Sequence, residues 1–397
     1  MHFILRSPRN RLSVSNLLTA VLLGALLSQG MTTTSVAAAP AASSLRLTLP
    51  NEFVAIEGIE TGIYFDNIVL TDNPSDYRFE VECKIGIVEA RRWSLPASSS
   101  RVGKYRLTIT VEDSSGQSIT TASMTLRVLP AKLGGEQHFR LLIIGDSLTH
   151  ATAYPNEIAK LFSSSMNPRC QMLGTHRPTA AAPGVAHEGY GGWTWQRFVS
   201  KYEPEPDGSH RKRSSPFVFL DKAGVPSLDL ARYFDEACEG DPPDFVVFML
   251  GINDCFSANP DRLEAIDERI DTMFAHADKL IAAFRRAAPR AQLGVCLTTP
   301  PNSRQAAFEA NYKDRYSRWG WKRIQHRLVE RQLERFASHA DKQLFVIPTQ
   351  MYLDTIEGYP SNNGVHPNAI GYQQIGRTIH ASLMSRMADA NSLFESR

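Results

Sequence analysis

The stretch that most limits the fold is 140–150, which reads Arg-Leu-Leu-Ile-Ile-Gly-Asp-Ser-Leu-Thr-His. Its four consecutive apolar residues, Leu141 to Ile144, show no alternation with polar ones. Such a strand is buried on both faces, the condition of a parallel sheet covered by helices. The run stops at Gly145, which permits a tight turn, and Asp146 and Ser147 favour turns and helix starts. Tyr154-Pro155-Asn156 then leads into a helix with Ile158, Leu161 and Phe162 on one side. Ser147 is therefore expected at the C-terminal edge of a strand, near helix N–H groups, where open α/β sheets bind ligands. Gly-Asp-Ser is also an ordinary turn, and what gives it weight lies downstream.

A chain of 397 residues has room for more than one domain. Its net charge of +2 gives no reason to expect nucleic acid as a partner, and the basic cluster His210-Arg211-Lys212-Arg213 lies among loop residues. Residues 1–42 read as a signal peptide: Arg6, Arg9 and Arg11 precede an apolar stretch from Leu17 to Leu27, and the small residues Ala37 to Ala42 offer cleavage sites. A secreted or periplasmic protein is expected, with no stable membrane insertion after cleavage; the other possibility is a retained anchor. The five cysteines, Cys83, Cys170, Cys238, Cys255 and Cys296, show no C-x-x-C spacing.

From 44 to 130 the pattern is that of strands. Phe79, Val81 and Cys83 alternate with polar residues, as do Tyr105, Leu107, Ile109 and Val111, and a turn at Asp113-Ser114-Ser115-Gly116 leads to Met124, Leu126 and Val128. The pattern resembles an immunoglobulin-like β-sandwich, without the Cys-Trp-Cys spacing of antibody domains, and suits a spacer or substrate-orienting module. Residues 131–137, with Gly134-Gly135, form the expected linker. From 138 to 397, strand-like runs at Leu141–Ile144, Cys170–Leu173, Phe245–Leu250, Leu293–Leu297 and Leu344–Ile347 are separated by helices. One helix carries Leu263, Ile266, Ile270, Met273, Leu280 and Phe284 on one face; another runs from about Trp321 to Phe336. This order predicts a three-layer α/β domain with a parallel sheet.

Three later stretches fall where a site at the strand edge would need them. His187-Glu188-Gly189-Tyr190-Gly191-Gly192 exposes backbone N–H groups through its glycines. Gly251-Ile252-Asn253-Asp254 follows a strand directly, and Asn363-Gly364-Val365-His366-Pro367 precedes the helix that holds Ile370, Ile375 and Ile379. A serine hydroxyl attacking a carbonyl needs a base, and histidine supplies one near neutral pH. The order Gly-Asp-Ser-Leu, a Gly-rich turn, Gly-x-Asn-Asp and a late His-Pro resembles the SGNH hydrolases, also called GDSL esterases and lipases, over 138 to 390. The resemblance implies a flavodoxin-like α/β/α sandwich and no metal or organic cofactor. It also implies Ser147 as nucleophile, His366 as base, and an oxyanion hole from the N–H groups of Ser147 and Gly192 and the amide of Asn253.

One departure stands out. The family's last block usually carries Asp three residues before the His, where this chain has Asn363. Asn363 itself, a backbone carbonyl, Asp354 or Glu357 are the candidates to orient His366. Trp193 and Trp195 are candidate platforms for a sugar ring or, equally, core residues. The expected activity is a secreted serine esterase acting on short acyl groups, acetyl above all, of carbohydrates or other acylated molecules. Two alternatives stand beside it: a lipase or thioesterase on the same fold, and a carbohydrate-binding protein with a decayed site. No G-x-S-x-G surrounds Ser147, His187-Glu188 lacks the second His of H-E-x-x-H, and the sequence sets no oligomeric state.

Overall fold

The computed structural model describes residues 45–96, 101–132, 137–204, 214–337 and 340–395. The expected signal peptide, most of the expected linker and the whole basic cluster lie outside the described residues. Seven strands come first: β1 (Glu52–Ile56), β2 (Thr61–Tyr64), β3 (Arg78–Glu82), β4 (Ile87–Val88), β5 (Arg92–Leu95), β6 (Gly103–Glu112) and β7 (Ser118–Leu129). They form a four-stranded sheet in the order β1-β7-β6-β3 and a three-stranded sheet in the order β2-β5-β4. Alternation decides which face is buried. Leu107 and Ile109 of β6 lie inside with Met124, Leu126 and Val128 of β7, and meet Phe53 of the same sheet and Ile63, Trp93 and Leu95 of the other. The β6–β7 hairpin pairs Leu107 with Met124, and Asp113 Oδ1 accepts the N–H groups of Ser115 and Gln117 in its turn.

The second half supplies β8 (His138–Gly145), β9 (Arg169–Leu173), β10 (Glu188–Gly189), a hairpin of β11 (Val218–Leu220) and β12 (Pro226–Leu228), then β13 (Phe245–Met249), β14 (Gln292–Cys296) and β15 (Leu344–Ile347). β8 lies between β13 and the pair β9 and β10, which share its other side, and the sheet continues through β14 to β15, parallel throughout. The helices are α1 (Ser147–His150), α2 (Ala153–Phe162), α3 (Trp195–Ser200), α4 (Leu230–Ala237), α5 (Ile252–Cys255), α6 (Leu263–Ala287), α7 (Gln305–Tyr312), α8 (Arg318–Gln332) and α9 (Ala369–Glu395). They flank the sheet, giving the expected three-layer α/β arrangement. All five residues of β13 are buried, as are Leu141 to Ile144 of β8. Each such side chain contributes roughly 1.5–3 kcal/mol of transfer free energy, which makes these strands the anchor of the sheet. Leu263, expected on the buried face of its helix, is exposed because it is the first residue of α6, and Ile370 is exposed at the start of α9. No described helix is long and apolar enough to cross a membrane.

Two glycines bring the site's elements together. β10 pairs Gly189 with Gly145, and Thr149 packs between the two backbones. A Cβ at Gly189 would lie 2.4 Å from Thr149 Cγ2, and one at Gly145 would fall on the Thr149 hydroxyl, which instead meets the Tyr154 hydroxyl at 2.6 Å. Only glycine lets β8 and β10 close over the first turn of α1.

Candidate active site

Ser147 is the first residue of α1, at the C-terminal edge of β8. Asp146 caps the helix, its Oδ1 accepting the Leu148 N–H at 2.9 Å. The Ser147 Oγ lies 2.8 Å from His366 Nε2. His366 comes from the loop ahead of α9, and Asn363 fixes it there: its Oδ1 accepts the N–H groups of Val365 at 3.0 Å and His366 at 2.9 Å, and lies 3.2 Å from His366 Nδ1. Two backbone donors on one atom identify that atom as the amide oxygen. An oxygen facing Nδ1 requires the proton there, which leaves the Nε2 lone pair facing the serine hydroxyl, the tautomer a general base needs. Burial lowers the His366 pKa below the ordinary histidine value, so the ring is neutral through the neutral range.

The three expected oxyanion donors lie on three separate elements. Neither the Ser147 N–H nor the Gly192 N–H has a backbone acceptor among the described residues. Gly192 has φ +74° in the turn between Tyr190 and Trp193, directly after β10. Asn253, on α5 after β13, donates from Nδ2 to the Trp193 carbonyl at 3.1 Å; its second amide hydrogen has only a long contact, 3.4 Å, to Asp146 Oδ2 and is the one open to a ligand. Asp254 ties the same elements from below, accepting the Trp195 N–H at 3.2 Å. Burial raises the pKa of both Asp146 and Asp254 to about 7. Ser147, Asn253 and His366 open together on a cleft of about 340 Å³, whose walls also include Ile252, Val365, Phe256, Tyr312 and Tyr316. Among the described residues no group of three or more metal-type side chains occurs.

Residues 143–374, more than half of the chain, match the GDSL-like Lipase/Acylhydrolase family, and the match spans both Ser147 and His366. The chain belongs to that family. It is a carboxylic ester hydrolase. A search of curated proteins finds no match to this acylhydrolase. Among solved structures it is similar to a family 3 carbohydrate esterase from Talaromyces cellulolyticus (18% identity, 63% of this chain and 99% of that one, TM-score 0.38). It is also similar to a family 3 carbohydrate esterase from Clostridium thermocellum (15%, 64% and 100%, TM-score 0.38) and a carbohydrate acetylesterase from Sinorhizobium meliloti (14%, 62% and 99%, TM-score 0.34). These likenesses are too distant to bear on substrate.

The structure corrects the expected platform in this acylhydrolase. Trp193 and Trp195 are both core residues: Trp193 packs on Tyr190 and Phe198, and Trp195 on Phe248. Thr194 caps α3, which turns Trp195 at the first helical position onto the sheet. The aromatic wall of the cleft is instead Phe256, Tyr312 and Tyr316, with Phe256 and Tyr316 centroids 4.2 Å apart. Asp354 does not orient His366; its carboxylate pairs with Arg91 at 2.8 Å and caps the N–H groups of Ile356 and Glu357. Glu357 is exposed, and its carbonyl accepts from Asn368. Sequence reasoning also missed Asn302, fully buried after β14, whose side chain donates to the carbonyls of Pro360 and Asn363 and whose N–H donates to Gly364. A lone Asn between Pro301 and Ser303 carries no sequence signal for that clamp.

Proposed function

We propose that this acylhydrolase is an exported serine esterase that removes short acyl groups, acetyl above all, from carbohydrates. The observation that carries the reading is the 2.8 Å contact of Ser147 Oγ with a His366 whose tautomer Asn363 sets. Ser147 Oγ attacks the ester carbonyl carbon as His366 Nε2 takes its proton. The negative charge that develops on the carbonyl oxygen is met by the N–H groups of Ser147 and Gly192 and the second amide hydrogen of Asn253, which exchanges its long contact to Asp146 for the oxyanion. Collapse breaks the bond to the alcohol, which leaves with the proton from His366, and water then hydrolyses the acyl-serine with the same base. Among the described residues that line the cleft only Ile252 and Val365 are aliphatic, which supports a short acyl group. The aromatic wall of Phe256, Tyr312 and Tyr316 supports a sugar as the alcohol part. Export rests on the Arg-rich start and apolar stretch of residues 1–42. Rates on p-nitrophenyl esters of rising acyl length test the reading. Acetate should be cleaved fastest, and Ser147→Ala and His366→Ala should each lower kcat by about a thousandfold or more. Unchanged turnover in Ser147→Ala would remove the mechanism, and a maximum at long chains would make the enzyme a lipase.

A further inference from the structure

Two cations line the cleft, and among the described residues none that lines it carries a carboxylate. Lys313 and Arg315 lie on the segment between α7 and α8, line the same cleft as Ser147 and His366, and are both exposed. What sets them apart is the treatment of the basic residues that follow. Arg318 pairs with Asp72, Lys322 with Asp66, Arg323 with Asp261, Arg327 and Arg331 with Asp267, and Arg335 with Asp278. From 318 to 335 every Lys and Arg has an acidic partner, while Lys313 and Arg315 pair with no described carboxylate. Asp314 sits between them in sequence but does not line the cleft.

Arg315 is held at the wall, and Lys313 carries backbone strain there. The Arg315 guanidinium lies over the Tyr316 ring, 5.1 Å from its centroid, and Tyr316 packs on Phe256. Lys313 has φ +58°, a conformation that favours glycine and that only two other non-glycine residues adopt among those described. The chain keeps a lysine at a position whose backbone would be less strained as glycine, and strain of this kind gathers at ligand sites.

We propose that the ester taken by this site bears a negative charge on its alcohol part, an acylated sugar acid being the class that fits. The inference rests on the esterase reading and sharpens its substrate. With the acyl group at Ser147 and the ring along Tyr312 and Tyr316, the sugar carboxylate meets Arg315, whose planar fork suits it, and Lys313 adds a second positive charge. Exposed cations at a cleft mouth raise capture of an anion in a salt-dependent way.

The test is kcat/KM at low salt for a methyl O-acetylglucuronoside against its uncharged methyl ester, with p-nitrophenyl acetate as a common reference. The full chain is expected to prefer the acid by about tenfold or more, and high salt to erode that preference. In the Lys313→Ala/Arg315→Ala double variant, checked for folding by thermal melting, the ratio should fall toward one; Lys313→Arg, which leaves both charges and the Arg315 fork, should keep it. Equal rates on acid and methyl ester in an enzyme that cleaves p-nitrophenyl acetate would overturn the charge proposal alone, as would a preference that survives the double alanine change. An enzyme inert on p-nitrophenyl acetate and both glycosides would remove the esterase reading beneath it.

Discussion

Asn363 Oδ1 takes the N–H of Val365, the N–H of His366 and the imidazole Nδ1 together, so the residue both shapes the loop and sets the tautomer. What an amide cannot supply is charge to stabilise the imidazolium that the proposed mechanism forms when Ser147 gives up its proton. In serine proteases of the chymotrypsin type, exchanging the triad Asp for Asn lowers turnover about ten-thousandfold, largely through the wrong tautomer. Here the backbone donors already enforce the right one, so only the charge is missing. Asn363→Asp keeps every acceptor and should raise kcat about tenfold or more, whereas Asn363→Ala should lower it about ten- to a hundredfold. The pH profile separates the two roles. Because burial lowers the His366 pKa, the acid limb of kcat/KM in the native enzyme should lie below the ordinary histidine value. A carboxylate beside the ring favours its protonated form, so the limb should move to higher pH in Asn363→Asp; a limb that stays put would show that residue 363 does not sense the ring's charge. Asn253→Ala, which removes one of the proposed oxyanion donors, should cost about a hundred- to a thousandfold in kcat.

At the scale of elements, the five apolar runs expected as strands fall on β8, β9, β13, β14 and β15, because strands buried on both faces need continuous apolar sequence. β10 was not legible: Glu188 and Gly189 are too few and too polar to read as a strand, and only their pairing with Ile144 and Gly145 makes them one. The blocks holding Ser147, Asn253 and His366 were legible since each follows a strand or precedes a helix at the sheet's C-terminal edge. Tyr312 and Tyr316 were not, because they reach the cleft from a segment with no such marker, through packing against Phe256. The join between α5 and α3 has its own prediction. Asp254, half-buried, accepts the Trp195 N–H, and the nearby Asp146 adds to the effect of desolvation in raising its pKa to about 7. An acid whose folded pKa lies above its unfolded value of 3.8 stabilises the fold most at low pH and loses that contribution as pH rises through the interval up to about 7. Asp254→Asn keeps an oxygen for the Trp195 N–H and removes the titration. Urea midpoints at pH 5 and pH 8 should therefore differ less in Asp254→Asn than in the native protein; an equal or larger difference would show that Asp254 ionises freely in the fold.

Across the whole described molecule, the β-sandwich does more than space out a catalytic half, since the segment after β2 is bonded into the approach to the His366 loop. Asn67, itself buried, donates to the carbonyls of Gln350 at 2.8 Å and Leu353 at 2.7 Å, and the Tyr64 N–H donates to Met351. Met351 reaches back into the sandwich core beside Phe65 and Trp93. Asp66 pairs with Lys322 of α8 at 3.0 Å, where the lysine side chain is only 2% exposed. Asp66→Ala takes one charged hydrogen bond from the Lys322 ammonium, which keeps the Asp66 backbone carbonyl as a partner, and such a bond contributes about 1.5–3 kcal/mol; freeing buried carbonyls costs about 1–3 kcal/mol each. Asp66→Ala should therefore lower unfolding stability by about 1.5–3 kcal/mol, and Asn67→Ala by about 2–6 kcal/mol. The decisive readout is the form of the urea transition, followed at once by far-UV circular dichroism and by tryptophan fluorescence, with Trp93 in the sandwich and Trp195 and Trp321 in the α/β half. If the contacts couple the halves, native protein should unfold in one coincident transition, and Asn67→Ala should move that transition to lower urea. Two separated transitions in the native protein would mean that these bonds do not couple the two cores.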